Sequence, residues 1–505
     1  MNRRIRILAV VLLGCFVLLV VQLANFQVRQ ASALQHSPYN HQVSTNTFAG
    51  DRGEILSADG YVLAKSVPSS NGYPYQRVYP QGSLFADITG YVDVVDANIS
   101  TGLEAYYGNP FASSTRSQYL LVHQYPSHGL RGLLNQRQGT DSITITVSRK
   151  LQLVAKNALG SYRGALVAWD PRNGNILAMY SNPTYNPNKL ASHNAKEVTS
   201  YYKSLNPASG SSPLVNGVTG IVQFPGSTFK LVTSSAIFDH DPSLASKTWP
   251  VVPYIKLPNT TQLLHNYASE LCGGTLAQAF AQSCDTSFGA IGLALGPSRL
   301  IRQANAYGFN EVPPIDLPAS ELATSTIPPA TKFTSADPFL AYTAIGQYDI
   351  VESPLFDAMI AGAVANGGKM MAPHLLSHVV NDQGQVVATY KPHVWKKATS
   401  SSTAASVLQL MRGVTHGNGT AAGVFNNISV PVAAKTGTAQ VGANGCSDNW
   451  LVATAPAGQG ETPTVAVAGY VPYQPGLTCS DTGAAVAGPR VDQLLAAALS
   501  YQAGS

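Results

Sequence analysis

Charged residues are scarce in this chain of 505 residues, and the few present almost balance. Asp, Glu, Lys and Arg make up 11% of the sequence, and the net charge is +5, of which Arg3, Arg4 and Arg6 supply three units. The rest is close to neutral, which argues against nucleic acid as a partner. A hydrophobic share of 45% excludes a disordered protein. The length predicts at least two domains.

Cysteine is also scarce, and its placement argues against a metal centre. None of the five cysteines forms a C-x-x-C pair and no H-E-x-x-H occurs, so we predict no metal and no other cofactor. Cys15 lies in an apolar N-terminal run, which leaves Cys272, Cys284, Cys446 and Cys479. Proximity in sequence suggests the disulfides Cys272–Cys284 and Cys446–Cys479, with four buried free thiols as the alternative.

The N-terminal run from Ile7 to Phe26 is almost unbroken in its apolar character. Twenty helical residues match the hydrocarbon thickness of a bilayer, and arginines before the run place that end in the cytoplasm. We predict a cytoplasmic tail over 1–6, a transmembrane anchor over 7–28 and an exported remainder. A cleaved secretory signal is the alternative, because Ala31–Ala33 has a small-x-small pattern, but the run is long for a signal core.

Two further regions follow the anchor. Residues 29–140 are rich in Tyr, Ser, Gly and Pro with few helical periods, and predict an extended, β-rich pedestal. Residues 141–505 predict a catalytic domain, which opens with a strand over 142–147 and a helix over 150–159. A hairpin follows, with strands over 164–170 and 176–180 flanking the turn Pro-Arg-Asn-Gly.

After a helical and loop-rich middle, strand patterns return near the end of the chain. They cover 433–440, 449–454 and 464–471, and a closing helix covers 491–501. Strands at both ends with helices between them predict one sheet built from distant segments and covered by helices, in the α/β (α+β) class.

Three short segments carry the chemistry, in the order Ser227–Lys230 (STFK), Ser283–Asp285 (SCD) and Lys435–Thr438 (KTGT). Together they supply a nucleophile, an amine base, a second hydroxyl and a cationic strand edge for a carboxylate. That set suits serine acyl transfer without histidine. A single S-x-x-K match arises by chance, whereas the ordered set with wide gaps indicates function.

Each segment also has a plainer structural interpretation. Ser227 and Lys230 share a helix face if a helix begins at Ser227, and burial would lower the pKa of Lys230. The alternative is a capping serine with a solvated lysine. Ser283 and Asp285 lie in a polar stretch that is an ordinary loop on its own. Lys435–Thr438 fits an edge strand whose two threonine hydroxyls share one face and whose glycine lets a substrate approach, or an edge merely protected by lysine.

The three segments resemble the active-site signature of penicillin-binding proteins and serine β-lactamases. More of the chain resembles class B penicillin-binding proteins, in particular the short PbpA-type proteins of actinobacteria. The matching stretches are Asp51–Ile55, Tyr79–Gly82, Thr101–Glu104, Asp170–Pro171 with Gly174–Met179, and Leu214–Asn216 with Phe224–Lys230. The resemblance implies the penicillin-binding transpeptidase fold, an antiparallel sheet covered by helices with an all-helical subdomain.

The resemblance also implies an extracytoplasmic D,D-transpeptidase that cross-links peptidoglycan stem peptides and is acylated by β-lactams. By motif position Ser227 is the nucleophile, Lys230 the base and Ser283 a proton-transfer group. Lys435, Thr436 and Thr438 hold the terminal carboxylate, with Gly437 between them. The implied partner is a membrane-embedded peptidoglycan glycosyltransferase.

One position departs from the family pattern, because Asp285 stands where Asn is usual. An ionised carboxylate only accepts hydrogen bonds, and near Lys230 it would raise the pKa of that lysine. We expect Asp285 to accept from a substrate N–H and to leave activity intact.

Other functions share these motifs. A β-lactamase needs a group that activates water, and no Glu-x-x-x-Asn occurs in the chain. A D,D-carboxypeptidase differs only in what resolves the acyl-enzyme. A β-lactam sensor needs a cytoplasmic output, for which 1–6 leaves little room. A scaffold with an impaired site is the remaining alternative, given Asp285.

Overall fold

The computed structural model describes residues 3–25, 50–95, 99–109, 118–125, 137–334, 337–441 and 445–504. The last residues of the predicted anchor and the candidate cleavage pattern at Ala31–Ala33 lie outside them. The helices are α1 (Arg3–Ala24), α2 (Ala86–Thr89), α3 (Gly102–Tyr107), α4 (Arg149–Leu159), α5 (Pro187–Leu190), α6 (Ala195–Ser204), α7 (Lys230–His240), α8 (Leu276–Ala281), α9 (Asp285–Leu295), α10 (Pro297–Tyr307), α11 (Pro338–Ala344), α12 (Pro354–Ala365), α13 (Ser401–Val414), α14 (Gly483–Val486) and α15 (Gly488–Ala503).

The strands are numbered in chain order. They are β1 (Ile55–Leu56), β2 (Val62–Pro68), β3 (Tyr75–Val78), β4 (Val92–Asp93), β5 (Ile99–Ser100), β6 (Val122–Tyr125), β7 (Arg137–Thr140), β8 (Ser142–Ile145), β9 (Gly164–Trp169), β10 (Ile176–Asn182), β11 (Trp249–Val252), β12 (Tyr254–Lys256), β13 (Leu263–His265), β14 (Cys272–Gly274), β15 (Lys369–Met371), β16 (Leu376–Val380), β17 (Val386–Thr389), β18 (Val394–Lys397), β19 (Ala433–Val441), β20 (Cys446–Ala455) and β21 (Val465–Val471).

The N-terminal helix α1 is 22 residues long and, among the described residues, is the one helix long and apolar enough to cross a membrane. None of its side chains is buried against the rest of the protein. A run of exposed Leu, Val and Ile side chains has no protein core to enter, so α1 has the composition of a membrane-spanning helix rather than a core helix.

A five-stranded antiparallel sheet in the order β10-β9-β21-β20-β19 lies within the region predicted over 141–505. Every residue of β9, β20 and β21 is buried, because α12 packs on one face and α15, with α4 beside it on β9 and β10, packs on the other. The predicted hairpin and the predicted sheet of distant segments are confirmed. Strand β19, which carries Lys435–Thr438, is an edge strand.

The strand predicted over 142–147 belongs to a different sheet. Strand β8 pairs in parallel with β1 and antiparallel with β16, in a six-stranded sheet of order β17-β16-β8-β1-β2-β3. Strands of the pedestal and strands from the middle of the chain therefore share hydrogen bonds. Helices α7, α9, α10 and α11 pack on one another, and α7 and α8 pack on α13, which contacts β19. The 3₁₀ turn that precedes α7 places the first chemical motif against the edge strand.

Candidate active site

The nucleophile turn, residues Pro225–Thr228, lies against the edge strand of the central sheet. It is the start of a 3₁₀ turn over Gly226–Phe229 that continues into α7. Gly226 has φ +57°, its N–H donates to the carbonyl of Gly346 at 2.9 Å, and a Cβ on it would lie 3.1 Å from the backbone of Thr438. Glycine is needed here for both reasons, and the turn leaves Ser227 partly exposed.

Gly437 makes the reciprocal contact from the strand. A Cβ at this position would lie 2.6 Å from the carbonyl oxygen of Pro225, so the turn and the strand touch through their backbones. From the other direction, a Cβ on Gly483 would lie 2.3 Å from the carbonyl oxygen of Gly437. The structure thus brings the first and third motifs together, although about two hundred residues separate them.

Lys230 is completely buried beneath the turn. Its Nζ donates to the carbonyl oxygen of Ser283 at 2.8 Å, to Oγ of Ser283 at 3.3 Å and to Oδ1 of Asp285 at 2.6 Å. Burial lowers the pKa of Lys230, and the carboxylate of Asp285 opposes that shift. Because its pKa is lowered, Lys230 becomes neutral at a pH closer to the physiological range, and the neutral amine can accept a proton.

Ser283 stands between two lysines. Its Oγ accepts from Nζ of Lys435 at 2.8 Å as well as from Lys230. Its backbone has φ +59°, a left-handed conformation unusual for serine. Strain of this kind persists where surrounding contacts impose it, often in active sites. With two amines donating to its oxygen, the hydroxyl proton of Ser283 is free to be donated into the cavity.

Lys435 lies deeper than its motif suggests. Its side chain is completely buried, and its Nζ also donates to the carbonyl oxygen of Thr436 at 2.9 Å. Burial lowers the pKa of Lys435 well below its usual range, and the charge of Lys230 lowers it further. The resemblance implies that Lys435, together with Thr436 and Thr438, holds a substrate carboxylate. The amine of Lys435 lies behind Ser283, whereas Thr436 and Thr438 line the cavity.

The two threonines present their hydroxyls as the strand alternation predicts. Oγ1 of Thr436 hydrogen-bonds Oγ1 of Thr420 at 2.7 Å, and Oγ1 of Thr438 accepts from the N–H of Gly483 at 3.3 Å. The oxygen of Thr438 accepts from Gly483, and its hydroxyl proton can therefore be donated to an anion.

One cavity of about 540 Å³ connects these groups. Five of the predicted site residues line it: Ser227, Ser283, Asp285, Thr436 and Thr438. Lys230, Lys435 and Gly437 lie immediately behind that surface. Such a volume suits a peptide segment or a drug-sized ligand.

A disulfide stands at each side of the cavity. Cys272–Cys284 ties β14 to the residue between Ser283 and Asp285, and Cys446–Cys479 ties the start of β20 to the loop before α14. These are the pairings that proximity in sequence suggests. Across the cavity mouth, the hydroxyl of Tyr267 donates to the carbonyl of Ser480 at 2.6 Å.

Sequence reasoning missed several groups that shape the site. Gly346 and Gln347 lie beside the nucleophile turn, Thr420 supports Thr436, and Glu352 contacts Thr228 from below. Gly346 has φ +78°, so this glycine is the one local signal of the turn in the sequence. In the described part of the chain, no cluster of three His, Cys, Asp or Glu residues could hold a metal ion.

Comparison with known proteins agrees with this geometry. A model of the penicillin binding protein transpeptidase domain matches residues 164–496, and one of the penicillin binding protein A dimerisation domain matches residues 52–124. Peptidoglycan D,D-transpeptidase PbpA of Mycolicibacterium smegmatis is 33% identical over 99% of both chains, and PbpA of Mycobacterium tuberculosis is 32% identical over the same shares.

Solved structures show the same fold. The ceftriaxone acyl-enzyme complex of penicillin-binding protein A from M. tuberculosis matches with a TM-score of 0.78 at 30% identity, covering 90% of this chain and 100% of that one. The chain belongs to the penicillin-binding protein transpeptidase family.

Proposed function

We propose that this chain is a peptidoglycan D,D-transpeptidase that cross-links stem peptides through an acyl-enzyme on Ser227 and is acylated there by β-lactams. The observation that carries the proposal is the shared cavity, in which Ser227, Ser283 and the hydroxyls of Thr436 and Thr438 face one space. Relatives named as D,D-transpeptidases over the full chain length support the same activity.

In the first step Oγ of Ser227 attacks the carbonyl carbon of the penultimate D-Ala. Lys230 accepts the serine proton, for which burial prepares it by lowering its pKa. The hydroxyls of Thr436 and Thr438 bind the terminal carboxylate. Ser283 donates its proton to the departing nitrogen and recovers one from the lysines that donate to its oxygen. The C–N bond breaks and D-Ala leaves.

In the second step the amine of a neighbouring stem peptide attacks the ester carbonyl. Lys230 accepts the amine proton, and Ser227 leaves as a hydroxyl once a proton returns to its oxygen. The product is a new amide between two stems. Attack by water would give a carboxypeptidase, so the acceptor decides between the two activities.

We infer that this chemistry takes place outside the cell. We assign residues 1–6 to a cytoplasmic tail, 7–28 to a membrane anchor, 29–140 to the pedestal and 141–505 to the transpeptidase domain. The length and composition of α1 support the anchor, and the family matches on either side of residue 140 support the boundary. A membrane-embedded glycosyltransferase is the partner that would supply glycan strands.

Labelling of membranes with a fluorescent penicillin tests the assignment. The full chain should label, Ser227→Ala should not, and Ser243→Ala should label as the wild type because Ser243 is exposed on a distant turn. Slow loss of label supports a transpeptidase, and turnover within seconds supports a β-lactamase. No labelling of the wild type would favour a scaffold.

The acceptor is identified in a second assay. With a D-Ala-D-Ala peptide and a D-amino acid acceptor, a transpeptidase forms the exchanged peptide. Release of D-Ala without exchange at saturating acceptor would identify a carboxypeptidase instead.

A further inference from the structure

Two carboxylic acids are buried behind the nucleophile turn, outside the residues that line the cavity. Glu352 is 0% exposed and Asp357 is 1% exposed. Glu352 precedes the capping Ser353 of α12, and Asp357 lies in the first turn of that helix. The backbone of Glu352 exchanges two hydrogen bonds with Gln223, at 2.9 and 3.0 Å. Gln223 is two residues before Pro225 in the sequence, so these hydrogen bonds hold Glu352 close to the start of the nucleophile turn.

Neither acid has a cationic partner in the described part of the chain. Oε2 of Glu352 and Oδ2 of Asp357 are buried with no hydrogen-bond partner, and no lysine, arginine or histidine of the described residues forms an ion pair with either. An unpaired charge buried in this way is costly, and a carboxyl group avoids the cost by keeping its proton.

The two acids act on each other. Burial raises the pKa of Asp357 to about 7. Burial also raises the pKa of Glu352 well above its usual range, and the charge of Asp357 raises it further. Asp357 is the one ionisable group among the described residues that shifts the pKa of Glu352. Two carboxyl groups in contact do not both ionise readily.

Thr228 connects this pair to the nucleophile. It follows Ser227, is buried, and its Oγ1 lies 3.1 Å from the carbonyl oxygen of Pro225 and 3.2 Å from Oε1 of Glu352. A threonine hydroxyl has one proton but can accept as well. Both contacts are hydrogen bonds at once only if Glu352 donates to Thr228 while Thr228 donates to Pro225.

We propose that protonated Glu352, supported by Asp357, positions the nucleophile turn through Thr228. The proton of Glu352 is donated to Thr228, whose own proton holds the Pro225 carbonyl beside Gly437. Ionisation of Glu352 would draw the Thr228 proton away from Pro225 and loosen the turn where it touches the strand. Glu352 and Asp357 are positioning residues, because neither lines the substrate cavity. The inference rests on the proposed acylation of Ser227.

Acylation by a fluorescent penicillin, measured between pH 6 and pH 9, tests the proposal with three variants of the full chain. Glu352→Leu removes the donor and should lower the acylation rate constant about tenfold at every pH. Glu352→Gln keeps an N–H donor that cannot ionise. It should acylate as the wild type at pH 6 and at least as fast as the wild type up to pH 9. Deprotonation of Lys435 at high pH would lower the acylation rate of the wild type and of Glu352→Gln alike, so it does not affect this comparison.

Thr228→Val supplies the second arm. It should lower acylation about tenfold, Thr228→Ser should restore it, and Glu352→Leu should add no further loss to Thr228→Val, because both remove the same chain of hydrogen bonds. Equal acylation by wild type and Glu352→Leu would overturn the proposal, as would additive losses or a Glu352→Gln protein as impaired as Glu352→Leu.

Thermal unfolding separates this proposal from the assignment of Ser227. The pKa values of Glu352 and Asp357 are higher in the folded than in the unfolded protein, so the stability of the wild type falls as pH rises from 5 to 8. Glu352→Gln should lose less stability over that range, because its side chain does not ionise. This comparison needs no activity and also serves if Glu352→Leu does not fold. If the stability of the wild type and of Glu352→Gln depends on pH in the same way, the proposal that Glu352 is protonated is overturned. Failure of the wild type to label overturns the proposed function alone.

Discussion

Nζ of Lys230 lies 2.6 Å from Oδ1 of Asp285, so the base of the active site is in contact with a carboxylate. The lysine is completely buried, whereas the aspartate side chain is 25% exposed. Burial dominates, and the pKa of Lys230 is lowered despite its neighbour. We expect Asp285 to accept a hydrogen bond from a substrate N–H, and in the structure it also accepts one from Lys230. The carboxylate tunes the base as well as facing the substrate.

Asp285→Asn should shift the pH profile of acylation. Removing the carboxylate removes the influence that raises the pKa of Lys230, so that pKa falls. The rise of the acylation rate with pH should then occur at lower pH, because Lys230 loses its proton more readily without the carboxylate. The plateau rate should stay close to wild type. Rate constants for a fluorescent penicillin between pH 5 and pH 9 measure both, and an unshifted profile would refute the coupling.

Thr438→Val should weaken acylation without unfolding the protein. The hydroxyl of Thr438 already accepts from Gly483, so its proton is the one available to a carboxylate. Hydrogen bonds to charged groups contribute about 1.5–3 kcal/mol, which corresponds to a loss of at least tenfold in the acylation rate constant. Thr438→Ser should retain most activity. Thr389→Val, on the exposed strand β17, is the control, and equal rates for both valine variants would exclude the role.

The chemical motifs could be predicted from sequence because each lies within four residues. The spacing of Ser227 and Lys230 needs only a helical turn, and the hydroxyls of Thr436 and Thr438 need only strand alternation. The hairpin of β9 and β10 was likewise readable from its turn residues. These relations are local, so they do not depend on how the rest of the chain folds.

Relations between distant segments were beyond such reasoning. Alternation along β19 does not reveal that both faces of the central sheet are covered, so the depth of Lys435 could not be foreseen. Glu352 gives no local signal, because its importance comes from the backbone bridge to Gln223, which lies more than a hundred residues earlier. The pairing of β8 with β1 and β16 depends on the pedestal folding back onto the middle of the chain.

The two disulfides should contribute unequally to stability. Cys446 and Cys479 are 33 residues apart, whereas Cys272 and Cys284 are 12 apart. Closing the longer loop restricts the unfolded chain more, by about 1 kcal/mol on the loop-entropy relation. Urea unfolding of the two double Cys→Ser variants should show the larger loss for the 446–479 pair. The reverse order would mean that native contacts, rather than loop length, determine the difference.

Glu104→Gln should destabilise the pedestal far more than loss of a surface ion pair would. Glu104 is 0% exposed, and its carboxylate lies 2.9 Å from Nε of Arg52 and 2.5 Å from Nε of Arg77. Both guanidinium groups are buried as well, so neutralising the carboxylate leaves two cations without a counter-charge. Breaking a buried pair from one side costs about 3–5 kcal/mol. Thermal unfolding should show the loss, with the exposed Glu197→Gln as control. If Glu104→Gln lost less than about 1 kcal/mol, the value typical of surface pairs, the buried ion triad would have no structural role of this kind.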